Sequence, residues 1–343
     1  MLNKLKKLFL NRSDSYNHYK QESEILSKDL NKEIKELKKK LEKQENEFNS
    51  YKFESNRVFN SFQFLIGTLY TDYELTPKSA LKYTYDLFDE LLVFVYKVCE
   101  KYDLKFWLDY GSALGAYRHE GFIPFDDDAD IGMIRKDYIK FNEIIEDELK
   151  LNKIDDIISM NYFHMENEEF INNFSKIEIR FNDVVYASLD IFPYDFIKNI
   201  PENVEKTYRE IESRYHINLI NGMDKKQALD EVYEKYGFSL DEQKFIFPCI
   251  HTGWSVKKFE LIESSKIFPL KMVNFNGNLM PCVNDIDFYL ENKYGKDYKI
   301  VPKIVYPHGR ISELKDVENF EENFKEYISR VNVVNKNFNI INK

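Results

Sequence analysis

Four carboxylates fall within five residues, Asp126-Asp127-Asp128-Ala129-Asp130, and the apolar run Ile131-Gly132-Met133 follows them. In an extended strand, residues two apart share a face. Asp128 and Asp130 are therefore expected to project together, with Asp126 joining them, while Ala129 and Ile131 turn toward a core. Clustered carboxylates repel one another. Protons or a divalent cation must relieve that repulsion, and hard oxygen ligands suit Mg2+ or Mn2+. Other readings compete. A solvated acidic turn conflicts with the apolar flanks, Phe122-Ile123-Pro124-Phe125 and Ile131. An EF-hand calcium loop would place Asp126, Asp128 and Asp130 correctly. It needs glycine at the sixth loop position and glutamate at the twelfth, where this chain has Ile131 and Asp137. A sugar-nucleotide glycosyltransferase also uses a DxD pair. That architecture puts a nucleotide-binding βαβ region first, and here a charged arm and one long helix precede the acids.

A second segment supplies another acid. In Val184–Pro193, the residues Val185, Ala187, Leu189 and Ile191 form one apolar face of a strand, and Tyr186, Ser188 and Asp190 form the other. An aspartate on a strand that otherwise looks like core invites a functional explanation; a sheet-end aspartate capping a turn is the plain alternative. Upstream, Phe106-Trp107-Leu108 reads as a short buried strand. Gly111-Ser112 then turns into a short helix over Ala113–Tyr117. Backbone N–H groups and a hydroxyl at such a turn suit a phosphate, although small residues there also serve structure alone.

The elements that must position these groups follow from periodicity. Pro77 after Thr76 opens a helix, along which Leu81, Tyr85, Phe88, Leu91, Leu92, Val95 and Cys99 recur on one side. The region from about Asn199 reads mainly helical, with one extended interlude, Met272–Val283, turning at Gly277. Residues 1–74 are a charged helical arm, 75–330 the catalytic domain with helical insertions, and 331–343 a tail. Within the arm, Leu30, Ile34, Leu37, Leu41, Gln44, Phe48 and Tyr51 alternate steps of four and three, the coiled-coil period. Self-association through this stripe and a single solvated helix both fit it. At the start, Leu2, Leu5, Leu8 and Phe9 share one side among Lys4, Lys6 and Lys7. Peripheral docking on an anionic membrane surface and a frayed terminus both fit that pattern.

With 343 residues, 43% of them hydrophobic, the chain can bury a sizeable core. Its 11 glycines and 9 prolines are too few for a many-stranded sandwich. A formal charge of -10 argues against nucleic acid as a partner. The three cysteines, Cys99, Cys249 and Cys282, are scattered and odd in number, so neither a disulfide framework nor a zinc site is expected and a reducing compartment fits best. No stretch is apolar enough to span a bilayer, and the opening residues are too short and lysine-rich for a secretory signal. The expected location is the cytoplasm, including the inner face of the membrane.

The run from Trp107 to Met133 resembles the signature of the LicD family, which includes bacterial phosphocholine transferases and the animal fukutin-related proteins. Trp107, Leu108, Gly111, Leu114, Gly115, Ala116, Arg118, His119, Gly121 to Pro124, Asp126 to Asp128, and Asp130 to Met133 stand in register with it. Downstream, Asp190-Ile191-Phe192-Pro193 and the pair Tyr289-Leu290 and Tyr294-Gly295 are similar to later family motifs. The likeness runs roughly from Leu81 to Asp297. Ser112 stands for the usual threonine and keeps the hydroxyl. Tyr110, Ala113, Tyr117, Phe125 and Ala129 also depart from the common pattern, and none of these changes removes a carboxylate.

The resemblance implies an α+β, nucleotidyltransferase-like fold: a mixed sheet flanked by helices, with the carboxylates on adjacent strands. It implies transfer of phosphocholine, or a related phospho-alcohol such as ribitol or glycerol phosphate, from a CDP-linked donor to a sugar of a cell-surface glycan, capsule, teichoic acid or lipopolysaccharide. Asp126, Asp128, Asp130 and Asp190 would hold Mg2+ or Mn2+, and Asp190 would accept the proton of the attacking hydroxyl. Gly111, Ser112, Arg118, His119, Lys176 and Arg180 would meet the donor phosphates. Tyr110, Trp107 and Phe125 could offer a face to a choline ammonium, although core packing explains Trp107 as well. A non-enzymatic scaffold assembled through the arm is the remaining reading, and the intact acids argue against it.

Overall fold

The computed structural model describes residues 2–72, 76–124, 126–162, 174–181, 184–248, 261–300, 314 and 319–338. Phe125 and Cys249 lie outside the described residues, and so do the side chains of residues 3–15, which include the basic amphipathic start. The chain divides into two units, Met1–Tyr73 and Glu74–Lys343.

The first unit is one helix, α1 (Leu2–Asp72), 71 residues long. In the second unit, α2 (Ser79–Lys101) carries the expected stripe: Tyr85, Phe88, Leu91, Leu92, Val95 and Cys99 are buried on one side. It begins at Ser79, with Lys78 as its N-cap, so Thr76 is not the cap and Pro77 lies outside the helix. Next come β1 (Phe106–Leu108), α3 (Tyr110–His119), β2 (Ala129–Ile134), α4 (Arg135–Leu151), β3 (Ile158–Tyr162), β4 (Ser175–Phe181) and β5 (Val184–Ile197). These strands form a mixed sheet in the order β1-β2-β5-β4-β3. Only β2 and β5 run parallel in it; the other pairings are antiparallel. Alternation explains the arrangement. Ala129, Ile131 and Met133 of β2, and Ala187, Leu189 and Ile191 of β5, are all buried, and α2 and α4 both pack on β5.

After β5 the chain adds a helical insertion, α5 (Val204–Ile220) and α6 (Lys225–Tyr236). Its apolar side chains, among them Ile211, Tyr215 and Val232, bury a second small core with Ile197, Phe238 and Phe247. The short strands β6 (Phe238–Ser239), β7 (Phe245–Pro248) and β8 (Ile262–Glu263) extend the sheet beside the C-terminal half of β5. A short helix, α7 (Ser264–Ile267), leads to the hairpin β9 (Lys271–Phe275) and β10 (Asn278–Cys282), the extended interlude seen in the sequence. Asn276 and Gly277 turn it, both at positive φ (48° and 81°), the conformation a tight hairpin turn requires. The region after Asn199 is thus less purely helical than its periodicity suggests. The last elements are α8 (Ile286–Tyr294) and α9 (Phe320–Asn337). α9 packs on α2 and buries Phe324, Tyr327, Val331 and Asn335, so the domain continues past residue 330, where the sequence placed a tail.

No described helix is long and apolar enough to cross a membrane. One buried acid and one half-buried acid contribute to the stability of this framework. Asp195, fully buried on β5, takes two hydrogen bonds from the Arg135 guanidinium at 2.8 and 2.9 Å, and Tyr233 of the insertion also donates to it. Removing the carboxylate leaves a buried charge unpaired. Asp195→Ala should therefore cost about 3–5 kcal/mol, read from chemical denaturation. Asp89 of α2 is pushed by burial up to about 7 from 3.8, against the lowering effect of its hydrogen bond from Asn276. The folded protein then keeps a proton that the unfolded chain releases. Stability should fall as pH rises from about 4 to about 7 through this group, and Asp89→Asn should flatten that slope in thermal melts across the range.

Candidate active site

Strand register assembles the site. Asp130 of β2 lies directly beside Asp190 of β5, and on the other side of Asp190 stands Lys176 of β4. Residues paired in register share a face, so these three polar side chains form one row across three strands. The Lys176 ammonium is 2.8 Å from Asp190 Oδ2, and the Ser188 hydroxyl donates to Oδ1 at 3.0 Å. Both members of the ion pair are buried. The sheet thus sets Asp190 and Asp130 on adjacent strands, the placement that the family resemblance implies. Asp126, Asp127 and Asp128 lie ahead of the strand, because β2 begins at Ala129. The shared-face argument therefore fails for Asp128, which belongs to the loop rather than to the pleat.

The start of α3 holds Asp130 in place. Asp109 caps the helix through a hydrogen bond from its neighbour, the Tyr110 N–H, at 2.8 Å. Tyr110 and Gly111 are therefore already in the first turn, and the helix begins three residues before the Ala113 start expected from the sequence. The Gly111 N–H donates to Asp130 Oδ2 at 3.1 Å, and the Asp130 N–H donates to the Ser112 hydroxyl at 2.8 Å. Gly111 and Ser112, expected to face donor phosphates, here bind the carboxylate and backbone of Asp130 instead. Gly111 has a further reason to lack a side chain: a Cβ there would sit 2.7 Å from Asp126 Oδ2 and 3.4 Å from Asp130 Oδ2. Both acids therefore crowd the helix N-terminus, where the helix dipole favours negative charge. On the far side of β2, Gly132 makes room for Trp107, whose ring atoms would lie 2.5 Å from a Cβ.

The acids perturb one another strongly. Burial pushes the Asp126 carboxyl up to about 8, and the charge and hydrogen bond of Asp128, then the charge of Asp127, add to it. Asp130 is held well above the usual carboxylate range, first by burial and then by the charges of Asp128, Asp190, Asp126 and Asp109. An all-oxygen donor set under this much mutual repulsion has the chemistry a hard divalent cation relieves. Its spacing is a different matter. Among the described residues no three His, Cys, Asp or Glu side chains are grouped as metal ligands. Asp190 in particular has Lys176 as its counter-ion, so Asp126, Asp128 and Asp130 are the acids that fit a metal by type.

The other cations sort clearly. Arg180 lies four residues along β4 from Lys176 and pairs with Glu178 at 2.7 Å, away from the carboxylate row. Arg118 and His119 occupy the last turn of α3, at the opposite end from Gly111. Arg118 donates to the carbonyls of Tyr298 and Ile300 at 3.4 and 3.3 Å and contacts His119 Nε2 at 3.3 Å. Burial, then the Arg118 charge, pulls the His119 imidazole down to about 4. Arg118 thus joins the helix end to the 298–300 turn. Trp107 is fully buried against Tyr194 and Phe268 and offers no face to a ligand.

Several groups at the site had no candidate role in the sequence. Asp109 is fully buried and receives a hydrogen bond from the Tyr289 hydroxyl. Lys293 lies 4.2 Å above the Tyr110 ring. Tyr294 is 43% exposed as a residue; desolvation of its phenol, then the charges of Asp130, Asp109 and Asp126, raises the phenol above its ordinary range. Tyr289, Lys293 and Tyr294 all come from α8, which packs on α3. Their signal was the late Tyr289-Leu290 and Tyr294-Gly295 motif, whose helical spacing sends residues 289 and 293 to one side. A cleft of about 1200 Å3 elsewhere, lined by Lys105, Lys136, Phe196, Glu263 and Phe268, includes none of the clustered aspartates.

Residues 103–223 match the family model described as LicD/FKTN/FKRP, nucleotidyltransferase domain. That span holds β1 to β5 and both acidic segments, but ends before α8, so the likeness at Tyr289–Gly295 lies outside it. The chain is 28% identical over 139 residues to the lipopolysaccharide cholinephosphotransferase LicD of Haemophilus influenzae, covering 36% of this chain and 49% of that one. It is 33% identical over 111 residues to an uncharacterised protein of Rickettsia typhi, covering 29% and 34%, and 38% identical over 73 residues to one of Rickettsia prowazekii, covering 21% and 26%. The chain spans no more than half the length of these relatives. Through the segment that builds the carboxylate row, residues 103–223, this chain is similar to the LicD family.

Proposed function

We propose that this protein transfers phosphocholine, or a related phospho-alcohol, from a CDP-linked donor to a hydroxyl of a cell-surface glycan, working in the cytoplasm or at the inner face of the membrane. The observation that carries the reading is the register of Asp130 with Asp190, inside the segment that matches the family of a lipopolysaccharide cholinephosphotransferase. In the transfer, the acceptor oxygen forms a bond to the donor phosphorus that carries the alcohol. The bond from that phosphorus to the bridging oxygen breaks, and CMP leaves with the electron pair. The acceptor proton passes to the Asp190 carboxylate, which Ser188 and Lys176 orient by hydrogen bonds at 3.0 and 2.8 Å. Bound at Asp126, Asp128 and Asp130, Mg2+ or Mn2+ would supply charge neutralisation for the donor diphosphate. Gly111 and Ser112 keep Asp130 aimed, and the N-terminus of α3 adds its partial positive charge. Lys293 and Lys176 are the cations within this neighbourhood best placed to meet phosphate oxygens. Ribitol and glycerol phosphate remain rivals to phosphocholine within the same chemistry.

The test is CMP release by purified protein with Mn2+, a candidate glycan and each of CDP-choline, CDP-ribitol and CDP-glycerol. Release from one donor supports the reading. Release of UDP or GDP from sugar nucleotides instead, or no nucleotide product, overturns it. Asp128→Asn and Asp130→Asn should each lower the rate by about a hundredfold or more, because charge placed at the reacting phosphates is lost. Neither should lower the melting temperature, since an amide takes one carboxylate out of a cluster whose members repel one another. A chelator should abolish turnover and added Mn2+ should restore it; turnover indifferent to both would remove the metal from the account.

A further inference from the structure

Every described side chain of α1 from Tyr16 to Val58 is exposed. A helix gains most of its stability in a protein by burying an apolar face, and this one buries none over that stretch. The exposed residues are not scattered. The four-and-three stripe from Leu30 to Tyr51 continues through Ser55 to Val58, Phe62 and Leu65, interrupted only by Gln44 and Ser55. Exposure of its apolar members runs from 41% at Ile34 to 72% at Tyr51. A continuous seam of this kind marks an interaction surface.

The charges beside the seam identify the occupant. With Ile34, Leu41 and Phe48 at a positions and Leu37 and Tyr51 at d, the flanking g residues are Glu33, Lys40 and Glu47, and the e residues are Lys38, Glu45 and Lys52. In a parallel, in-register pair each g residue faces the e residue five positions later on the other helix. That sets Glu33 against Lys38, Lys40 against Glu45, and Glu47 against Lys52, every contact opposite in sign. An antiparallel pair centred on the same stretch sets Glu33 against Glu47, Lys40 against Lys40, Lys38 against Lys52 and Glu45 against Glu45. All of those contacts are like-charged. Within one chain, Glu47 pairs with Lys43 at 3.6 Å, an exposed contact that costs little to exchange. Gln44 at a d position favours its own copy opposite it and so fixes the register.

We propose that α1 dimerises the protein as a parallel, in-register coiled coil with a second copy of the same chain. The proposal stands independently of the reaction assigned above. It is tested on the full chain by sedimentation equilibrium or light scattering at low salt. Twice the 41.2 kDa chain mass is expected at micromolar concentration. Glu33→Lys with Glu47→Lys should raise the dissociation constant roughly tenfold or more, since it turns attractive seam contacts repulsive. Lys38→Glu with Lys52→Glu should do the same alone, and combining all four changes should restore association. These substitutions sit on an exposed helix surface and leave the second unit's core untouched. A single-chain mass throughout the micromolar range, or association indifferent to the charge reversals, overturns the proposal.

Discussion

The parallel pairing of β2 with β5 is the constraint on which the site depends. It sets Asp130 against Asp190 at the spacing of adjacent strands, where two ionised carboxylates in a partly buried place repel by about 3–4 kcal/mol. The surrounding structure answers that repulsion in several ways. Lys176 arrives from β4 in the one register that reaches Asp190. The first turn of α3 delivers the Gly111 N–H to Asp130. Burial and the neighbouring charges raise the Asp126 and Asp130 carboxyls above the usual carboxylate range. The same features that make the acids costly to fold make them responsive to a cation and a polyanionic donor.

The supporting elements fit that reading. Asp109 anchors α3 at its start, and Tyr289 of α8 donates to it, so the two helices meet around the acidic row. Lys293 brings positive charge over Tyr110 from the same helix. At the far end of α3, Arg118 ties the helix to the carbonyls of Tyr298 and Ile300. One short helix thus carries an anion-facing end and a structural end, and its length of ten residues separates the two.

Much of this was legible in the sequence, for identifiable reasons. The alternation of Ala187, Leu189 and Ile191 against Ser188 and Asp190 matches the facing of β5, because period-two patterning is local, but a register shift at Tyr186 breaks it for Val185 and Tyr186, and Tyr186 packs in the core against Phe324. Gly277 marked the hairpin for the same reason. Contacts that depend on register or tertiary approach were not legible. Lys176 and Arg180 share a face of β4, and only pairing with β5 decides that the first meets Asp190 while the second meets Glu178. Gly111 and Ser112 carry the right groups for a phosphate, yet proximity in three dimensions gives those groups to Asp130. Nothing in the sequence marks Asp109, since its full burial and its bond from Tyr289 arise from tertiary packing. The stripe on α1 was visible for about three heptads and extends further in the continuous helix.

The most direct test of the central claim is anomalous diffraction from crystals grown with Mn2+ and CDP-choline. The account predicts an anomalous peak between the loop at Asp128 and the paired strands, bonded to Asp128 and Asp130, with Asp190 on the same face and the diphosphate beside it. Manganese bound elsewhere on the protein, or Asp190 turned to the opposite face of the sheet from Asp130, would contradict it.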